Sequence, residues 1–169
     1  SHLPLVIPAK GLPYYPALFA LARYLPGGAL DPTFGVGGVV TTGKNEFYAT
    51  WITGLVLQPD GKILAGGHFT EISDLSSDGL MFAVLRYNPD GSLDPTFGKG
   101  GMVIDRFMPK SGSSVHAISF VDGVNPRILV AGGVLHHDLS FTLQASLACY
   151  TPNGGACADF GDKGKVNAG

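Results

Sequence analysis

The stretch that decides the fold is VLRYNPDGSLDPTFG, residues 84–98, because the chain carries it more than once. An earlier copy reads LARYLPGGALDPTFG at residues 21–35, and a diverged copy reads LACYTPNGGACADFG at residues 147–161. Successive copies begin 63 residues apart. A long motif that returns at a fixed spacing indicates internal duplication. The chain is therefore a repeat protein with a 63-residue period.

Four short strands fit into one period. Apolar and polar residues alternate in strand-like runs that are separated by turn residues. They predict strand a at Val39–Thr42 and again at Met102–Asp105, strand b at 53–58, strand c at 62–69 and strand d at 82–87. Four antiparallel strands per repeat are typical of a β-propeller blade. The predicted fold class is all-β, built from such blades.

The segment between strand d and the next strand a has its own signals. It is expected to cross the width of the sheet, about 14 Å or three strand spacings. Phe97 is predicted to fill the space between blades, and Gly98, Gly100 and Gly101 are predicted to turn the backbone sharply into strand a.

The period divides the chain into five units. Residues 1–16 are an N-terminal segment with at most a degenerate strand, and 17–38 hold the last strand and crossing of a partial blade. Residues 39–101 and 102–164 are predicted as two complete blades, and 165–169 as the start of a further strand.

Charge and hydropathy limit the partners. The net charge is −2, and the 11 Lys and Arg residues are scattered singly, so no basic surface for nucleic acid is predicted. The longest apolar stretch, residues 16–25, contains Arg23 and is shorter than the roughly 20 residues that span a bilayer. We expect neither a nucleic-acid partner nor a membrane span.

The turn and motif residues resemble a known family. The run QPDGKILAGG at residues 58–67, followed by LRYNPDGSLDPTFG at 85–98, is similar to the bacterial delta-60 repeat, a β-propeller domain of unknown function. The resemblance implies a secreted or surface protein of a bacterium, with several tandem copies. The third copy departs from the family pattern in its b–c turn and in its Leu-Asp-Pro-Thr segment.

Two copies place an arginine eight residues before an aspartate, on either side of the turn after strand d. The pairs are Arg23 with Asp31 and Arg86 with Asp94. We interpret both as structural salt bridges.

The third copy replaces both members of the pair with cysteine, at Cys149 and Cys157. Joint replacement indicates contact, which predicts a disulfide. The alternative is two free buried thiols.

Histidines and aspartates in loops are candidate metal or catalytic groups. His136, His137 and Asp138 lie together in the c–d loop of the third copy, but adjacent residues of a strand point to opposite faces and no zinc-type spacing is present. Asp74 and Asp78 lack the regular acidic spacing of a calcium loop. We therefore predict no metal and no cofactor, and interpret these side chains as solvated.

Catalysis lacks a recognisable motif. No Gly-x-Ser-x-Gly sequence occurs, and Ser113 and Ser114 near His116 are interpreted as part of a connection. His116, together with the loop histidines and Asp138 above, remains the set of catalytic candidates.

Several aromatic residues are candidates for ligand recognition, because their rings offer flat area at low entropic cost. They are Tyr14, Tyr15, Phe47, Tyr48 and Trp51. A sugar or protein ligand and a role in packing between blades are equally compatible with them.

The predicted function is a non-catalytic β-propeller module for binding or scaffolding outside a bacterium. The alternative is a hydrolase with catalytic residues on loops at one mouth of the channel. Propellers need about four to eight blades, so the chain is either a fragment of a longer repeat protein or part of a closed homo-oligomer. We favour the oligomer, with the strand at residues 19–24 completing a neighbour's blade.

Overall fold

A computed structural model describes residues 18–43, 47–71, 80–108, 111–135 and 143–168. These described residues form ten β-strands and no helix, so none of them belongs to a helix that would cross a bilayer. The strands are β1 (Phe19–Ala22), β2 (Val39–Thr42), β3 (Phe47–Leu57), β4 (Ile63–Glu71), β5 (Leu80–Tyr87), β6 (Met102–Asp105), β7 (Gly112–Val121), β8 (Arg127–Leu135), β9 (Leu143–Tyr150) and β10 (Lys165–Asn167).

The strands form three antiparallel sheets. Strands β1 and β2 form a two-stranded ribbon, called here the N-terminal ribbon. Sheet 1 has the order β3-β4-β5-β6, and sheet 2 has the order β10-β9-β8-β7. The predicted all-β fold with four antiparallel strands per sheet is confirmed.

Turn chemistry explains why the strands begin and end where they do. Between β3 and β4, Gln58 N donates to Lys62 O at 2.8 Å, and Gly61 has φ 82°. After β5, Asn88 N donates to Ser92 O at 2.8 Å, and Gly91 has φ 88°. Both glycines take the left-handed conformation that other residues adopt only at a cost.

The position of strand a in the sheets differs from the prediction. Val39–Thr42 pairs with β1, and Met102–Asp105 pairs with β5, so each strand a joins the sheet that precedes it in the chain. Sheets 1 and 2 therefore extend over residues 47–105 and 112–167, one strand out of phase with the expected units 39–101 and 102–164.

The d-to-a segment turns back instead of crossing the sheet. Arg86 N donates to Gly101 O at 3.0 Å, which brings the end of this segment beside the end of β5. Gly98, Gly100 and Gly101 have φ values of 52°, 64° and 91°, which confirms the predicted sharp turn. That turn directs the chain back along β5, and the passage to the next sheet begins only after β6.

The three sheets are stacked with a core on each face of sheet 1. Alternate residues of a strand face opposite sides, and Leu64 faces sheet 2 while Ala65 faces the N-terminal ribbon. Phe97 is fully buried in the core shared by sheets 1 and 2, which confirms its predicted place between blades. Phe34 takes the equivalent place in the core beneath the ribbon.

The ribbon is part of its own chain's stack. Phe19 and Leu21 of β1 are buried against sheet 1, and β1 pairs with β2 of the same chain. Within the single chain that the structure describes, β1 thus pairs with β2, and completion of a neighbour's blade by residues 19–24 remains a prediction. Association of whole copies remains a prediction.

Candidate functional site

A charged cluster lies at the end of β5 in sheet 1. Asp94 Oδ2 lies 2.8 Å from Arg86 Nε and 2.8 Å from Lys62 Nζ, and Thr96 donates its hydroxyl and backbone N–H to Asp94 Oδ1. Burial opposes ionisation of Asp94, but these hydrogen bonds and the charge of Arg86 hold its pKa well below the usual range. The carboxylate is therefore charged at neutral pH.

The same cluster occurs in the first copy. Arg23 Nε lies 2.8 Å from Asp31 Oδ2, and Arg23 Nη2 donates to Thr33 at 2.8 Å. Both ion pairs expected from the sequence are thus present. Sequence reasoning missed the second cation, Lys62.

Each arginine also reaches the following sheet. Arg23 Nη1 donates to the carbonyl of Pro89 in the turn after β5, and Arg86 Nη1 donates to the carbonyl of Pro152 in the turn after β9. In each copy the guanidinium lies 4.8 Å from the ring centre of the phenylalanine between the sheets. We call this arrangement of arginine, aspartate, threonine and carbonyl the latch.

A backbone bond repeats beside each latch. Gly35 N donates to Asp90 O at 2.7 Å, and Gly98 N donates to Asn153 O at 2.8 Å. The conspicuous charges of the first two copies therefore hold successive sheets together.

The third copy has a disulfide in place of the latch. Cys149 and Cys157 are bonded, with their Cα atoms 5.4 Å apart. Arg127 occupies the place of Lys62 and pairs with Asp159, because Cys157 has replaced the aspartate. Sequence reasoning missed Arg127, although it and Lys62 each precede an Ile-Leu pair.

A second polar link joins the two large sheets. Tyr150 donates its hydroxyl to Asp105 Oδ2 at 3.0 Å, and Lys165 Nζ lies 2.7 Å from the same oxygen. Burial and the charge of Asp105 raise the pKa of Tyr150, which stays protonated. This link is structural as well.

The remaining side chains that could bind a ligand or take part in catalysis lie where β3, β4 and β7 approach one another. The Trp51 and His68 rings have centroids 5.1 Å apart, and Ser114 Oγ lies 3.2 Å from His116 Nε2. Burial lowers the pKa of His68, and the neighbouring His116 lowers it further. We call these four residues the aromatic–histidine cluster.

Two β-bulges affect the direction of the side chains in this cluster. The β3–β4 ladder shifts between Ile52 and Gly54, and the β7–β8 ladder shifts between Val115 and Ala117. His116 is the extra residue of the second bulge. Bulges bend a strand and redirect side chains, and they are frequent next to functional sites.

The cluster contains two of the three groups of a hydrolytic triad. A serine and an imidazole within hydrogen-bond reach provide a nucleophile and its base, and a third group normally orients the base. Within the described ranges, no carboxylate is bonded to His116, and no group of three His, Cys, Asp or Glu side chains is arranged to hold a metal. The imidazole of His68 has a buried Nδ1 with no hydrogen-bond partner in the described part of the chain.

The other candidate residues are not placed by the structure. Phe47 and Tyr48 lie at the start of β3, but their side chains are not described. The remaining candidates fall outside the described residues: Tyr14, Tyr15, Asp74, Asp78, His136, His137 and Asp138.

The stacked four-stranded sheets define the class: the chain is an all-β protein built from β-propeller blades. Residues 18–34 and 58–97 match the model of a protein family described as "Domain of unknown function (DUF5122) beta-propeller". The two matched segments contain the arginine and the aspartate of both latches, whereas the third copy lies outside them. The match supports a β-propeller family of unknown function, and the delta-60 repeat remains a prediction. Neither the curated proteins nor the solved structures gave a match.

Proposed function

We propose that this chain is a non-catalytic β-propeller module that binds a sugar or protein ligand. The observation that carries the proposal is the Trp51 side chain, which is 58% exposed and rests beside the His68 ring. An exposed indole on a rigid strand offers flat apolar area with little conformational entropy to lose. Ser114 and His116 add hydrogen-bonding groups close to His68.

The scaffold supports a binding role. Trp51 lies in β3, which is hydrogen-bonded along its length to β4, so the ring is held on a strand and not on a loop. The charged groups of both latches bind other parts of the fold and take no part in this surface. Fixed recognition groups reduce the entropic cost of binding.

Intrinsic fluorescence tests the proposal directly, because Trp51 is the sole tryptophan of the chain. Titration with panels of oligosaccharides and peptides is expected to shift the emission for one class of ligand. Calorimetry with Trp51→Ala should then show at least tenfold weaker binding. Val124→Ala is the matched control, since Val124 is 98% exposed and lies in a turn.

A hydrolase is the second candidate, and the Ser114–His116 contact favours it. A screen with ester, glycoside and phosphoester substrates separates the two functions. Turnover that is lost in Ser114→Ala and His116→Ala, or on changing His136 and His137 to Ala, would overturn the binding proposal. Ligand binding without turnover would support it.

We propose further that the module works outside a bacterial cell. The Cys149–Cys157 disulfide supports this location, because disulfides persist in oxidising compartments. Mass spectrometry of unreduced peptides from natively produced protein checks it, and two freely alkylated thiols would contradict it.

A closed homo-oligomer is proposed on the same footing. About four to eight blades close a propeller, and this chain supplies two four-stranded sheets and a ribbon among its described residues. Light scattering on the purified chain is expected to give a dimer or larger ring. A stable monomer at micromolar concentration would exclude the oligomer.

A further inference from the structure

The interface between sheets 1 and 2 shows how one sheet accepts the next. Ile118 of β7 packs into a groove over Gly54 of β3 and Gly66 of β4. A Cβ atom at Gly54 would lie 2.9 Å from Ile118 Cγ2, and one at Gly66 would lie 3.1 Å from Ile118 Cβ. The two glycines therefore provide the space for the isoleucine. Phe120, two residues further along β7, packs against the same core.

The corresponding residues of sheet 1 are uncovered. One period earlier, Ile118 and Phe120 correspond to Leu55 and Leu57 of β3. Leu55 is 58% exposed and Leu57 is 72% exposed. Leu55 and Leu57 lie on one face of β3, and their equivalents Ile118 and Phe120 are partly buried against the core in the next repeat. Such an exposed apolar pair marks a place that another apolar surface fits.

The N-terminal ribbon explains the exposure. Strands β1 and β2 correspond to β5 and β6 of sheet 1, because Phe19–Ala22 lies 63 residues before residues 82–85. In sheet 1 those four residues pair with residues 65–68 of β4 on the edge away from β6. In the ribbon the described residues pair β1 with β2 alone. A β4-like strand is therefore the neighbour that fits this edge of β1.

We propose that the edge of β1, together with Leu55 and Leu57, is a docking site for a two-stranded β-hairpin of the same repeat type. The hairpin adds to β1 as β4 adds to β5 and completes a four-stranded sheet by β-augmentation. Glycines of the hairpin pack over Leu55, in the same way as Gly54 and Gly66 of sheet 1 pack over Ile118. The established interface between sheets 1 and 2 is the template for this contact. The site is separate from the aromatic–histidine cluster.

The probe is a labelled synthetic peptide of residues 47–71, the β3–β4 hairpin, added to the full 169-residue chain. Fluorescence anisotropy is expected to show saturable binding. A peptide with Gly54→Val and Gly66→Val should bind at least tenfold more weakly, because the added side chains occupy the groove. Amide exchange of residues 19–22 should slow on binding, which reports the new ladder on β1.

Variants of the chain give the matched test. Leu55→Asp should weaken peptide binding at least tenfold, whereas Leu147→Asp should leave it unchanged, since Leu147 is exposed on the opposite face of the stack. Trp51→Ala should also leave it unchanged, so failure of the proposed ligand site and failure of this site are distinguishable. Circular dichroism checks that each variant is folded.

Four outcomes would overturn the proposal. They are absence of peptide binding, equal binding of the valine peptide, peptide binding only after deletion of residues 1–17, and a chain that self-associates and becomes monomeric in Leu55→Asp. The third would assign the site to the N-terminal segment of the chain. The fourth would assign it to a second copy.

Discussion

Transplanting the disulfide of the third copy into the second tests whether the two arrangements are interchangeable. Residues 86 and 94 correspond to residues 149 and 157, and both segments close with the same backbone bond. Asp94 N donates to Arg86 O at 2.9 Å, and Cys157 N donates to Cys149 O at 3.0 Å. Cysteines at 86 and 94 would thus have Cα atoms at about the 5.4 Å of the natural pair, within the range that disulfides span.

The magnitudes follow from burial. Arg86 and Asp94 are almost fully buried, and removing one partner of a buried ion pair costs about 3–5 kcal/mol. Arg86→Cys should be at the lower end, about 3 kcal/mol, because Lys62 still neutralises Asp94. A disulfide that joins residues eight apart stabilises by about 2.5 kcal/mol through loop entropy. The free energy of unfolding of the oxidised Arg86→Cys/Asp94→Cys variant should therefore lie within about 1 kcal/mol of the wild-type value.

Urea unfolding with and without reductant measures these differences. Adding Thr96→Asp to the oxidised variant should regain up to about 1 kcal/mol, because Lys62 then has the partner that Asp159 gives Arg127. Arg23→Cys/Asp31→Cys is the matched control, and its cost should be smaller because Arg23 is one-third exposed. Cysteines at 86 and 94 that stay free under oxidising conditions would refute the equivalence. An oxidised variant no more stable than Arg86→Cys would refute it too.

Three further predictions concern Lys163, Gly66 and Asp94. Lys163 has φ 49° at the position where Gly100 has 64° in the preceding repeat. A left-handed lysine costs about 1–2 kcal/mol, whereas a glycine loses about 0.5–1 kcal/mol in entropy on folding. Lys163→Gly should therefore raise the melting temperature by about 1–4 °C, whereas Asp162→Gly should lower it. Gly66→Val should destabilise the fold by about 1–3 kcal/mol through overpacking against Ile118, as measured by denaturant unfolding. The pKa of Asp94 is lower in the folded chain than the roughly 3.9 expected in the unfolded chain. This carboxylate therefore stabilises the fold above about pH 4, and that stabilisation is lost as the pH falls. Asp94→Asn should make the free energy of unfolding less dependent on pH in unfolding curves taken between about pH 5 and pH 2.

The repeats explain why the latch residues were predictable from the sequence. Copies within one chain act as an internal comparison, so the joint change of Arg86 and Asp94 to Cys149 and Cys157 reveals a contact without any structure. Lys62 escapes this reasoning, because its equivalent Arg127 lies 65 residues away and not 63. The two extra residues lie in the longer b–c turn of the third copy.

The sheet to which strand a belongs was not predictable in the same way. Met102–Asp105 is only four residues long, and its alternation fits either neighbouring sheet equally well. The choice depends on the path of the chain before it, where three glycines take left-handed conformations. A pattern of strands indicates which segments pair, whereas the backbone dihedrals of these glycines decide with which neighbour.

The contact between Trp51 and His68 depends on a single inserted residue. Counting outward from the β3–β4 turn, Leu57 pairs with Ile63 and Gly54 pairs with Gly66, which would place Trp51 opposite Phe69. The bulge at Thr53 moves the register by one, so Trp51 pairs with His68 instead. Because a shift of one residue changes the face that a side chain occupies, the bulge creates the aromatic–histidine cluster.

The arginine of the latch performs two tasks, and the third copy separates them. It holds its own loop through the aspartate, and it binds the turn of the following sheet through a carbonyl. The disulfide keeps the first task, since Cys149 N still donates to Gly164 O at 2.8 Å, but it provides no donor for the second. The outer face of sheet 2 also differs from the face of sheet 1 that receives sheet 2. Ala117 and Ala131 pair at the positions that Gly54 and Gly66 occupy in sheet 1. A unit that packs on this face as sheet 2 packs on sheet 1 would therefore meet two methyl groups where Ile118 meets two glycines, and no arginine at residue 149 would hold it.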